Sequence, residues 1–141
     1  MTVVFDTNVF VSAAASVTGT SRGCFTLLAR RHFQLAVTNE ILAEFQATAE
    51  GLAQKPGRNH GLKWQPLFQW LANKALRVEP APLGKQRSRD ASDDIFLACA
   101  LASGAKIIVS HDHDLLVLEK PFGIEILRPS AFVARFKSAE L

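Results

Sequence analysis

The chain has 141 residues, 48% of them hydrophobic and 21% charged, with a formal net charge of +3. That balance excludes an intrinsically disordered polymer, and the length suits a single domain over 1–141 with a core of its own. No apolar run is long enough for a bilayer, the opening lacks the features of a signal peptide, and the two cysteines form no C-x-x-C pair. A reduced cytoplasmic protein without membrane contact is therefore expected.

Thr2 to Phe5 is a short β-branched and aromatic run and reads as a buried first strand. Asp6-Thr7-Asn8 follows it, and Val9, Phe10, Ala13 and Ala14 then suit a helix. Ser21 to Arg31 reads as a second helix and Phe33 to Val37 as a second strand. Thr38-Asn39-Glu40 opens a helix through about Thr48, with Ile41, Leu42 and Phe45 on one face. Gly51 to Gly61 is a loop. Leu62 to Ala75 is largely helical, and Pro66 fits there only within the first turn. A third strand is expected at Ala75 to Val78, followed by an irregular basic stretch from Pro80 to Arg89. Ser92 is the expected cap of a helix from Asp93 to about Ser103, which Gly104 ends. Lys106 to Val109 and Ile124 to Leu127 read as the last strands, and Pro129 opens a closing helix.

Strands alternating with helices imply an α/β fold, a three-layer αβα sandwich around a mostly parallel sheet of about five strands. Ligands in such folds bind beyond the carboxyl ends of the strands. Asp6 directly follows the first strand and Asp112 lies just past the fourth. Glu44 and Asp94 stand in the first halves of helices, so four acids from distant positions can share one edge. Each has a plainer role open to it: helix cap, solvated helix residue, dipole partner or turn residue. Clustered carboxylates repel unless a cation neutralises them, and oxygen-only ligands suit a hard ion such as Mg2+ or Mn2+. Lys55, Arg58, Lys63, Lys74, Lys85, Arg87 and Arg89 place basic residues in the middle third, as an acidic centre acting on phosphodiesters requires. Trp64, Phe68 and Trp70 are able to stack bases, but their helical spacing favours packing.

The motifs VVFDTNVFVSAA, LAVTNEILAEF, RDASDDIFLACALASGAKIIVSHDHDLL and EILRPSAFV, in that order, resemble the PIN-domain nucleases, in particular the VapC-like toxins of toxin–antitoxin pairs. The resemblance implies that Asp6, Glu44, Asp94 and Asp112 are the catalytic acids and bind a divalent metal. Asn8 and Thr7 would support Asp6, with Glu40 a less certain partner of Glu44. Asp93 and Asp90 would be extra ligands, Ser110 a hydroxyl touching the site, and Asp114 a second acid of the last motif. His111 departs from the small or polar residue usual at its position. The resemblance further implies endonucleolytic cleavage of RNA by metal-activated water, leaving 5′-phosphate and 3′-hydroxyl ends. It also implies a homodimer and an antitoxin protein lying across the acidic groove. Two other readings remain open: a catalytically weak RNA- or protein-binding module on the same fold, and a haloacid-dehalogenase-type phosphatase. Asn8 stands where that phosphatase class needs a second acid.

Overall fold

The computed structural model describes residues 1–16 and 18–139. In chain order the elements are β1 (Thr2–Phe5), α1 (Thr7–Ala15), α2 (Thr20–Ala29), β2 (Gln34–Val37), α3 (Asn39–Gln54), α4 (Gln65–Lys74) and β3 (Leu76–Arg77). A 3-10 turn, Ala91–Asp93, leads into α5 (Asp94–Ser103), and a second one, Pro121–Gly123, precedes the last strand. Then come β4 (Ile107–Val109), α6 (His113–Leu116), β5 (Glu125–Leu127) and α7 (Pro129–Ala139).

The strands form one all-parallel sheet in the order β3-β2-β1-β4-β5. Val3, Val4 and Phe5 of β1 and Ile108 and Val109 of β4 are fully buried, although alternate residues of a strand point to opposite faces. Both faces of the central strands are therefore covered by helices, as a parallel sheet requires. Phe5 anchors the end of β1, with its ring centroid 5.4 Å from Phe25, 5.7 Å from Phe33 and 6.1 Å from Phe132. That packing fixes where the chain emerges from the sheet, one residue before Asp6.

Local chemistry sets the helix starts. The Thr38 hydroxyl accepts from the Ile41 N–H at 3.2 Å and caps α3. Pro66 occupies the first turn of α4, where its missing N–H costs nothing. Gly104 ends α5 at φ +75°, a conformation that favours glycine.

Three expectations are revised. The helix opened by Thr38 runs through Gly51 to Gln54, because Ala49 is buried and Leu52 packs on the core. The Gly61 N–H then donates to the Ala53 carbonyl at 2.9 Å and satisfies that helix end. Ser92 does not cap α5. Instead the Asp90 carboxylate accepts from the Ser92 N–H (3.0 Å) and hydroxyl (2.7 Å), and this bond shapes the 3-10 turn ahead of α5. The short helix α6 after Asp112 was not anticipated at all. Among the described residues, no helix is long and apolar enough to cross a membrane.

Candidate active site

Register places the first and last acids side by side. Phe5 pairs with Val109, so Asp6 and Ser110 leave adjacent strands together, and the Asp6 N–H donates to the Val109 carbonyl at 3.0 Å. The Asp6 carboxylate caps α1 by accepting from the Val9 N–H at 3.0 Å, and its other oxygen accepts from the Ser110 hydroxyl. Ser110 in turn accepts from the Asp112 N–H at 2.8 Å. One buried hydroxyl thus fixes both acids. Burial raises the Asp6 carboxyl above its usual range and Asp112 adds to the effect, while the Ser110 and Val9 bonds and the nearby His111 oppose it.

Thr7 reaches the other way. Its hydroxyl donates to Glu44 Oε2 at 2.8 Å and ties the start of α1 to the middle of α3. Glu44 is half-buried and its carboxyl is also raised, first by burial and then by Asp6 and Asp90. Asp112 accepts from the Asp114 N–H at 2.9 Å and so caps α6. That cap turns Asp114 back towards the same place.

The third acid of the group is Asp93. Asp6, Thr7, Asn8, Glu44, Thr48, Asp93, Phe96 and Asp112 line one small cavity, of about 70 Å³, at the carboxyl ends of β1 and β4. Asp93, Asp112 and Asp114 each bring a carboxylate oxygen within 4.8 Å of the others. Asp94, expected at this position, is elsewhere. Its two oxygens accept from the backbone N–H groups of Arg87 (2.9 Å) and Ser88 (2.7 Å). The 3-10 turn ahead of α5 sets the phase of the helix, and neighbouring helical residues project about 100° apart, so only one of the pair faces the cavity. Asp90 is exposed and engaged with Ser92, and acts on the cluster only through its charge. Glu40 is exposed one turn before Glu44.

Thr48 and Phe96 are lining residues that the sequence reading missed. The signal was available, since Thr48 follows Glu44 by four and Phe96 follows Asp93 by three, on the same helix faces. His111 is 3.1 Å from the Ser21 hydroxyl through Nε2. Trp64 is buried and Phe68 and Trp70 pack against the core, which accounts for all three rings.

The cavity suits a hard divalent cation. Its donors are all oxygens, and Asp93 Oδ2 is buried without a hydrogen-bond partner. Burial first, and then the hydrogen bond and charge of Asp112, push the Asp93 carboxyl up to about 8. A cation would satisfy the orphaned oxygen and relieve the repulsion in one step.

Comparisons with known proteins agree with this fold. The fold resembles the crystal structure of PAE2754 from Pyrobaculum aerophilum, with a TM-score of 0.65 at 16% identity, covering 98% of this chain and 90% of that one. No curated protein matches the sequence. The sequence profile of the PIN domain matches residues 2–114, from the first strand through Asp114. With the acids gathered where that profile spans them, the chain belongs to the PIN domain family, whose members are generally nucleases.

Proposed function

We propose that this protein is a divalent-metal-dependent endoribonuclease and the toxin of a toxin–antitoxin pair. The observation that carries the nuclease reading is the buried, partnerless oxygen of Asp93 within a ring of carboxylates. In this reading Asp6, Glu44, Asp93 and Asp112 hold Mg2+ or Mn2+, with Asp114 beside them. When bound, the ion would lower the pKa of water and stabilise charge on the phosphoryl group. The residues around it do the positioning. Ser110 orients Asp6 and the backbone of Asp112, and Thr7 orients Glu44. Asp94 takes no part in ion binding and organises the adjacent loop instead.

The choice of RNA and the toxin role rest on the resemblance of the four sequence motifs to VapC-like toxins. Basic residues from Lys55 to Arg89 would hold phosphates in a manner that salt weakens. A homodimer and an antitoxin partner follow from the same resemblance. The test is cleavage of single-stranded and structured RNA by purified protein with Mg2+, Mn2+ or EDTA, beside Asp6→Asn. Metal-dependent cleavage abolished by EDTA and by the substitution is the expected result. Well-folded protein that cleaves under no metal would instead favour the binding-module reading, and EDTA-resistant cleavage that survives the substitution would overturn the site.

A further inference from the structure

Of the ten phenylalanines, nine belong to the core or pack against it, and Phe122 does neither. It is 46% exposed, and its backbone is left-handed at φ +53°, as are Glu119 (+50°) and Lys120 (+55°). Non-glycine residues in that region carry strain and persist only where the surroundings hold them, a pattern concentrated at functional sites. The Arg87 guanidinium lies 4.9 Å from the ring centroid. Arg87 is itself fastened. Its Nε and Nη2 donate to the Leu83 carbonyl at 3.3 and 3.1 Å, and its N–H donates to Asp94.

Contacts along the chain connect this pair to the acidic cluster. Ser88, the next residue, is held by Asp94, and Arg89 Nη1 is 3.7 Å from the Asp114 carboxylate, which shares the cluster with Asp93 and Asp112. Arg87, over the ring, and Lys120, two residues before it, are both exposed.

We propose that Phe122, backed by Arg87, is a stacking platform for one unpaired base of single-stranded RNA at the rim of the acidic cluster. The identity of the ligand as RNA rests on the nuclease reading above. A lone ring among cations is what a base and its phosphate need, since every base has a π-face and the backbone is anionic. A protein partner would call for a contiguous apolar patch, and Val117 is the other exposed large hydrophobic residue of this segment. In a duplex the bases are already stacked on one another, so the platform selects single strands.

The test uses a single-stranded oligoribonucleotide carrying 2-aminopurine, titrated with the protein in EDTA so that nothing is cleaved. Binding to the wild-type protein quenches the fluorophore. Phe122→Ala removes the quench and weakens binding about 5- to 150-fold, the range to which per-base stacking converts. Phe122→Trp restores both, and Phe122→Leu does not. Arg87→Ala weakens binding without touching the ring, and a duplex of the same sequence does not distinguish the variants. Wild-type affinity and quenching in Phe122→Ala, or full rescue by leucine, would overturn the proposal. Cleavage in Mg2+ separates the two readings. Phe122-dependent quenching without any cleavage leaves the platform and removes the nuclease, whereas cleavage with an unchanged KM in Phe122→Ala leaves the nuclease and removes the platform.

Discussion

Asp93 and Asp112 face one another across the acidic cluster, and two carboxylates so placed share a hydrogen bond only while one of them keeps its proton. With the Asp93 carboxyl up at about 8, the metal-free protein holds that proton at neutral pH. A cation entering the cluster displaces it. Metal binding should therefore release a proton and strengthen as pH rises through about 6 to 9. Calorimetric titration of Mg2+ or Mn2+ in buffers of different ionisation enthalpy measures the release directly, and affinity independent of pH would contradict it.

The same shift makes metal-free stability depend on pH. Asp93 titrates near 3.8 when exposed and near 8 when folded, so the folded state binds the extra proton between those values. Its contribution is fully present below the lower value and is lost as pH rises through the upper one. Asp93→Asn removes the ionisable group. In EDTA at pH 8 that variant should melt higher than the wild type, by about 4 °C for each 1 kcal/mol recovered, and the difference should vanish near pH 4. Thermal unfolding at the two pH values decides it.

The adjacent acids should part company when each is neutralised. Asp93→Asn loses metal binding and keeps the loop over residues 87–88. Asp94→Asn keeps the metal, loses about 1 kcal/mol of stability from its two N–H partners and speeds amide hydrogen exchange at Arg87 and Ser88. Loss of metal binding in Asp94→Asn with retention in Asp93→Asn would reverse the assignment.

Ser110 joins Asp6 to the backbone of Asp112. Ser110→Ala leaves both without that partner inside the protein and should cost about 1–3 kcal/mol, along with about 10- to 100-fold in metal affinity. Ser110→Thr keeps the hydroxyl and should recover part of the affinity. Equal losses in the two variants would point to packing alone.

Phe5 is fully buried among Phe10, Phe25, Phe33 and Phe132. Phe5→Ala should cost about 3–5 kcal/mol and should displace Asp6, its neighbour in sequence. Denaturant unfolding reads the first effect, and weakened metal binding by the remaining folded protein reads the second.

Much of this arrangement was legible in the residues themselves. Period-two and apolar runs mark all five strands, and the rule that parallel sheets expose their functional groups at carboxyl ends brings Asp6 and Asp112 together. Glu44 was placed by its helix. The choice between Asp93 and Asp94 was not legible, because it depends on a helical phase set by the Asp90–Ser92 bond, and two adjacent acids look alike in a string. Phe122 was equally hidden. Nothing in the letters PFG says that the backbone turns left-handed and keeps the ring out of the core.

The strand order determines when the acidic cavity can form. β1 lies between β2 and β4, and its pairing with β4 joins residues about a hundred positions apart, the kind of distant contact that closes late. A ribosome has to issue the chain past Asp112 before Ser110 and Asp112 can reach Asp6. Until then the growing polypeptide carries its first acids without their partners, so the acidic cavity does not yet exist while that part of the chain is still in synthesis.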